Sequence, residues 1–362
     1  MGAQRGCLRQ HRRHGNDRDL VDRTELARRL RDADTSGWLT VSADLRLMIP
    51  LPRRALEEIR DLTAETLATA GIEPSTRAVV ALNSDGAGLG TAWSEAASLV
   101  AECSCSGPVQ SPPRLIRLVE QLQADALITN PTTAARLVRF VRRSGADPSS
   151  LPIRRLYLTG EVTRPRNLAH LERAFAAEAV EIWSDPVFGI ALASATGAQP
   201  RPLFRPTRPH VLDWAPVRTA AHGRAIDLEW VVVPTWAPAL DGLAIRTGVV
   251  SPRAAGELTR PLWTVGDHVQ IRGRWLDLEV LRGRLDELRS ELSWCLSISR
   301  TIGSDRVTLH VGRATSDELE YVHAIIEDWS PIRVAVIPVR PNGSAVNAVV
   351  DRRGYHLGAR LP

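Results

Sequence analysis

Between Arg53 and Trp183 the sequence switches repeatedly between helical and strand periodicity, and this switching narrows the fold more than any other feature. Leu56, Ile59, Leu62 and Leu67 recur at helical spacing until Gly71 ends the run. An apolar run over 78–82 follows, then the stretch Gly86-Ala87-Gly88-Leu89-Gly90 and an alanine-rich helix to about Glu102. The pattern repeats as helix 112–123, strand 125–129, helix 131–144, strand 153–158, helix 164–177 and strand 180–183. Short strands separated by amphipathic helices lie parallel, because only a crossover can return the chain, and the helices cover both faces of the sheet. The expectation is an α/β fold.

After Ala193 the texture changes. Residues 195–223 are rich in Pro and Arg and show little periodicity. β-type runs at 226–233, 243–249 and 269–272 predict a small β subdomain. From Leu278 onward the order helix, strand 296–300, strand 307–311, helix 316–329, strand 332–339 predicts a small α+β unit. The domain expectation is therefore an Arg-rich, disordered or loosely docked segment 1–37, a large domain 38–276, a hinge at Asp277 and a small α+β domain 278–362.

The chain has 362 residues, and all 46 of its basic side chains are arginine. Codon drift in a GC-rich genome accounts for such a bias, but its chemical consequence holds whatever the cause. No Schiff base, phosphate-loop lysine or adenylating lysine is available. Nine arginines fall within the first 31 residues; beyond them both signs of charge are interspersed, as on solvated faces, which argues against nucleic acid as a partner. No apolar run approaches the roughly 20 residues of a membrane span. Cys7, Cys103, Cys105 and Cys295 are too scattered for a disulfide framework or a four-cysteine metal site, and a reducing cytoplasm suits them. The start of the chain lacks the apolar stretch of a secretory signal.

Familiar catalytic motifs are missing. There is no G-x-S-x-G, H-E-x-x-H or Walker loop. Gly86, Gly88 and Gly90 suggest dinucleotide binding, but the third glycine comes one position early and no acid follows about 20 residues on; a turn or pocket wall is the better reading. The more informative set is ordered along the chain: Asp125-Ala126-Leu127-Ile128-Thr129-Asn130-Pro131, Tyr157-Leu158-Thr159-Gly160-Glu161, Glu181-Ile182-Trp183-Ser184-Asp185-Pro186, Thr264-Val265-Gly266-Asp267, Ile271-Arg272-Gly273-Arg274-Trp275-Leu276-Asp277, Leu281-Arg282-Gly283 and Val349-Val350-Asp351-Arg352-Arg353.

In order and spacing this series resembles the phenylacetate–CoA ligase branch of the adenylate-forming (AMP-binding) superfamily, from about Leu51 to Arg353. The resemblance implies activation of an acyl or aryl carboxylate with ATP as an acyl-adenylate, then transfer to CoA. It makes 38–276 a large AMP-binding-like N-terminal domain and implies that the small C-terminal domain rotates against it between half-reactions. By position, Gly160, Glu161 and Trp183 match the nucleotide-base turn and its surroundings. Asp267 matches the carboxylate that holds the ribose hydroxyls, Arg274 the arginine near ribose and phosphate, and Asp277 the hinge. Gly86, Gly88 and Gly90 match a wall of the acyl pocket. A carboxylate accepting two hydroxyl protons and a guanidinium forked onto phosphate are chemically apt for those roles.

The departures from the pattern cluster at the triphosphate end. Where the family has a glycine-rich phosphate loop ending in Lys-Pro, this chain reads Leu39-Thr40-Val41-Ser42-Ala43-Asp44-Leu45-Arg46-Leu47. Without glycines such a loop offers few N–H groups to phosphate, and Asp44 repels it. The magnesium-binding Glu position holds Val187, which has no oxygen to offer. Ala345 stands where the adenylating lysine is expected. The segment ahead of the phosphate-loop position, about 38 residues, is shorter than in relatives, so the chain reads as truncated. The expectation is a degenerate relative that retains acyl, aryl, AMP/ATP or CoA binding and has lost its magnesium site. Two alternatives stand beside it: an active acyl- or aryl-CoA ligase, or an enzyme that transfers an acyl group from a ready-made adenylate; and a non-catalytic partner or scaffold of a full-length ligase, with a homodimer as the other candidate assembly.

Overall fold

The computed structural model describes residues 18–31, 38–42, 47–83, 89–106, 111–196, 203–219, 226–252, 258–288, 292–301, 304–312, 314–330, 332–339 and 347–361. The predicted βα alternation forms a seven-stranded sheet. In spatial order its strands are Arg205–Pro206, Ala191–Thr196, Glu178–Ser184, Arg155–Leu158, Ala126–Thr129, Arg77–Ala81 and Glu102–Cys105. The last five run parallel; the first two are antiparallel additions at one edge.

Alternate residues of one strand serve two cores. Val79 and Ala81 pack under the helices Pro112–Leu122, Pro131–Arg143 and Pro165–Phe175, together with Val119, Leu137, Val138 and Phe175. Ala78 and Val80 face the opposite layer, with Leu67 of helix Arg53–Thr69 and Trp93 of helix Leu89–Ser98. Burial on both faces is why these strands read as continuous apolar runs rather than alternating ones. Proline opens all three helices of the first layer, where the absent N–H would have had no intrahelical partner.

The β subdomain is a six-stranded sheet with Asp19–Val21, Leu243–Ser251, Asp227–Val232, Leu212–Thr219 and Arg360–Leu361 in order, and Trp263–Thr264 paired beside Leu243–Ser251. Two corrections to the sequence reading follow. Residues 18–31, expected to dock loosely, form a strand parallel to Leu243–Ser251 and the helix Arg23–Leu30, whose Leu26 is fully buried against Ile49, Val187 and Trp236. Asp22 caps that helix by accepting from the Glu25 N–H at 2.9 Å. The segment read as aperiodic contains the strand Leu212–Thr219, with Leu212, Ala215, Val217 and Thr219 turned inward.

The C-terminal unit has a four-stranded sheet ordered Ala335–Val339, Ser304–Gly312, Ser293–Thr301, Ala348–Asp351, backed by helices Leu278–Leu288 and Ser316–Trp329. A Thr315/Glu318 capping box starts the second helix, as its sequence requires. The hairpin His268–Ile271/Arg274–Asp277 shares this core through Val269, Ile271 and Leu276. The α/β fold with a large parallel-sheet unit, a β subdomain and a small α+β unit is thus as expected. Among the described residues no helix is long and apolar enough to cross a membrane.

Docking of the N-terminal helix has a measurable weight. Leu26→Ala is expected to lower unfolding free energy by about 2–5 kcal/mol in urea titrations, the range for a buried leucine emptied into a cavity. A loosely docked helix would give a change near zero.

Candidate functional site

A cleft opens at the C-terminal ends of strands Arg155–Leu158 and Glu178–Ser184, roofed by the hairpin that precedes Asp277. Parallel strands end in loops there, so one edge collects side chains from several crossovers. Gly160, Glu161 and Trp183 line it, with Ser184, Gln270, Gly273 and Trp275.

The turn after Leu158 is held from two sides. Gly160 adopts φ +77°, a left-handed conformation that suits glycine. Its carbonyl accepts from Gln270 Nε2 at 2.7 Å, while the Val162 N–H donates to Gln270 Oε1 at 3.0 Å. One amide side chain therefore bonds two backbone groups of the turn. Glu161 points beneath Gly273, where an added Cβ would lie 3.6 Å from its Cγ. Its Oε2 accepts from Thr132 Oγ1 at 2.7 Å and lies 4.0 Å from the Arg300 guanidinium; its Oε1 is buried without a partner. Burial pushes this carboxyl up to about 7, against the opposing pull of Arg300 and Thr132.

Strand Glu178–Ser184 supplies the opposite wall. Glu181 is buried and accepts from Arg260 Nε at 2.5 Å; burial lifts it to about 7 despite that cation. Trp183 packs on Trp230 with ring centroids 4.8 Å apart. Asp185 is buried too, and burial raises it to about 6. Its carboxylate is consumed by the following turn, accepting from the N–H groups of Val187 at 2.9 Å, Phe188 at 2.6 Å and Ile190 at 2.9 Å. Val187 is itself sealed in the apolar core with Phe188, Ile190 and Trp236. Arg23, from the N-terminal helix, donates to the Pro186 carbonyl at 3.3 Å and lies over Trp275, 5.4 Å from the ring centroid.

The other expected residues fall elsewhere. Arg274 lies on the hairpin strand between Gly273 and Trp275, which face the cleft, but is not itself a wall residue. Asp267 is half exposed outside it, paired with Arg282 at 3.2 Å, beside Arg246, Arg360 and Glu279. Asp277 caps helix Leu278–Leu288 by accepting from the Glu279 and Val280 N–H groups, and its carbonyl accepts from Trp329 Nε1 at 2.5 Å. Gly90 is buried in the first turn of helix Leu89–Ser98, its N–H bonded to the Asn83 carbonyl, and is not itself among the residues that line the cleft. Gly86, Gly88, Asp44 and Ala345 lie outside the described residues. Among the described residues, no group of His, Cys, Asp or Glu side chains is arranged to hold a metal ion. Sequence reasoning missed Gln270, Arg260 and Arg300. A lone arginine between Thr259 and Pro261, in an otherwise apolar stretch, was the available signal for Arg260.

No family model matches the sequence, and no curated protein sequence does. Solved structures do match. 2-Hydroxyisobutyryl-CoA ligase in complex with 2-HIB-AMP and CoA, in the thioesterification state, superposes with a TM-score of 0.73 at 15% identity, over 92% of this chain and 80% of that one. The chain has the fold of the adenylate-forming ligases. The same ligase in its postadenylation state with 2-HIB-AMP gives 0.57, at 15% identity over 93% and 81% of the two chains. The adenylation domain AlmE of Vibrio cholerae, in complex with glycyl-adenosine-5'-phosphate, gives 0.60 at 13% identity over 83% of this chain and 62% of that one. In this adenylate-forming fold the cleft lies beneath the small C-terminal unit.

The buried carboxyls make a pH prediction. Glu161 and Glu181, at about 7, and Asp185, at about 6, bind protons more tightly folded than unfolded, where their values are 4.5, 4.5 and 3.8. Each contributes stability that is complete below the unfolded value and lost as pH rises through the folded one. His356, which burial pushes down to about 4 from 6.5, acts with the opposite sign between those values. In Glu161→Gln, the dependence of unfolding free energy on pH, from about pH 5 to 8, should lose a downward slope of up to about one proton relative to the parent chain, read from urea midpoints.

Proposed function

We propose that this chain is a phenylacetate–CoA-ligase-like protein that binds an acyl- or aryl-adenylate, and CoA, in the cleft beside Gly160 and Trp183, and is impaired in making that adenylate from ATP. The turn after Ser184 carries the reading. By resemblance it should offer a carboxylate to the magnesium that accompanies ATP; here that position is Val187, buried in the core. The adjacent Asp185 directs its oxygens at three backbone N–H groups rather than outward. Magnesium takes near-octahedral oxygen ligands, and neither residue fits that need. The glycine-free sequence at 39–47 and the lack of any lysine point the same way. Positioned cations and N–H donors that stabilise developing charge are each worth roughly a hundredfold or more in rate, so their joint loss falls on the ATP half-reaction first.

The apolar floor around Trp183 and Phe204 and the aromatic Trp275 suit a planar base or aryl group, which gains by stacking and by leaving water. A second reading has a specific observation in its favour. The closer agreement with the thioesterification-state ligase than with its postadenylation state supports transfer from a ready-made adenylate to a thiol, a step that uses neither the triphosphate nor its magnesium.

Two assays test this. Purified protein offered ATP, magnesium, pyrophosphate and a panel of aryl and short-chain acids should show no exchange of pyrophosphate into ATP above background; exchange at the rate of an authentic ligase overturns the proposal. Synthetic acyl-adenylate with CoA should yield a thioester, and adenylate should raise the melting temperature. At 100 times its dissociation constant a ligand adds about 2.7 kcal/mol of stability. Binding without thioester would remove the second reading and keep the first; absence of binding would remove both.

A further inference from the structure

The last described residues do not stay with the small unit in which they begin. Strand Ala348–Asp351 pairs parallel with Ser293–Thr301 at the edge of the C-terminal sheet. The chain then leaves that sheet. Arg353 turns inward and donates to Asp305 Oδ2 at 2.5 Å, to Asp351 Oδ2 at 2.8 Å and to the Gln270 carbonyl at 2.8 Å. Tyr355 follows, with the guanidinium carbons of Arg164, Arg300 and Arg353 5.1 to 5.2 Å from its ring centroid. Its hydroxyl accepts from Asn167 Nδ2 and Arg300 Nη1, both at 3.2 Å, so one phenol joins helix Pro165–Phe175 of the large unit to the C-terminal sheet.

Beyond Tyr355 the contacts belong to the β subdomain. The Thr264 N–H donates to the Tyr355 carbonyl at 2.5 Å, Leu357 N–H to the Thr264 carbonyl at 2.9 Å and Gly266 N–H to the Gly358 carbonyl at 2.8 Å. Arg360 and Leu361 then add a strand antiparallel to Leu212–Thr219. Arg360 forks onto buried Glu229, with Nε to Oε2 at 2.9 Å and Nη2 to Oε1 at 2.5 Å. A two-pronged guanidinium–carboxylate pair on a fully buried acid fixes orientation as well as distance.

We propose that residues 352–361 are an intramolecular strap that fixes the C-terminal unit in one orientation over the cleft and must detach before that unit can swing away. The strap crosses the junction within ten residues. It begins inside the C-terminal sheet and ends as an edge strand of the large unit, so rotation of one unit against the other would stretch or strip it. The strap and the roof over the cleft are coupled, since Arg353 holds the carbonyl of Gln270, whose side chain grips Gly160 and Val162. Release would uncover Glu161, which is now covered with one oxygen bare. Only this last consequence rests on the cleft being the ligand site; the fixed orientation does not.

The test is a distance measurement on the full chain. Spin labels replace exposed Arg173 on helix Pro165–Phe175 and exposed Glu320 on helix Ser316–Trp329, with the four native cysteines changed to serine. Pulsed dipolar spectroscopy should give one narrow distance in the otherwise native chain. In Tyr355→Ala/Arg360→Ala a second distance should appear, its population raised roughly tenfold or more. Two distances in the native chain, or one in the variant, overturn the proposal. Hydrogen exchange on the unaltered chain keeps the test decisive if the variant unfolds: the Leu357, Gly266 and Val162 amides should open together, and free exchange at Val162 beside a protected Leu357 refutes the coupling. Neither readout depends on adenylate binding, so the strap and the proposed function fail separately.

Discussion

An arginine taken out of water keeps its charge, and the internal geometry of this chain follows from that constraint. A lysine can shed its proton when buried; a guanidinium cannot, and has to be met by acceptors, of which a carboxylate with matching geometry is the strongest. Every cation on a side chain here, histidine aside, is an arginine, and several of those turned inward are paired with acids. The buried pairs fall at the seams. Arg260, between strands Leu243–Ser251 and Trp263–Thr264 of the β subdomain, joins that subdomain to the seven-stranded sheet through Glu181. Arg353 with Asp305 and Asp351 joins the C-terminal sheet to the strap, and Arg360 with Arg246 and Glu229 joins the strap to the six-stranded sheet. Such pairs add little net stability over an apolar replacement, but losing one partner leaves a bare buried charge. They specify how the layers meet more than how tightly.

The central sheet was readable because burial on two faces leaves an unmistakable pattern: Val79 and Ala81 serve one core, Ala78 and Val80 the other. Elements whose burial is one-sided or partial were harder to see. In Leu212–Thr219 the inward positions are interrupted by Trp214 and Pro216, which break the apparent alternation. The edge strand Glu102–Cys105 has no fully buried residue and a polar sequence, so nothing marks it as β. Helix Arg23–Leu30 buries Leu26 and Leu30 but sits among arginines whose charge dominates the local composition.

The cleft shows the same division. Gly160, Glu161 and Trp183 were named by resemblance, and they line one cleft because they end consecutive parallel strands, whose ends converge by construction. Their partners were not, because Gln270 and Arg300 reach them across more than 100 residues of sequence, and no local pattern encodes a contact of that kind. Asp267, whose sequence context resembles a ribose-binding carboxylate, pairs here with Arg282. The wall that remains is apolar and aromatic, with carboxyls that burial holds partly protonated near neutrality.

The six-stranded sheet has its two outer strands drawn from distant parts of the chain: Asp19–Val21 on one edge and Arg360–Leu361 on the other. During synthesis the first of these emerges early and has no neighbour until Leu243–Ser251 has been made. The second edge stays open until nearly the whole described sequence is available. A sheet bounded in this way has a high contact order, and its hydrogen-bonding edges stand exposed through most of translation. The nascent chain therefore keeps this edge exposed until residues 352–361 have been made, and a stall or a nick within them would leave the edge open for strand pairing between molecules.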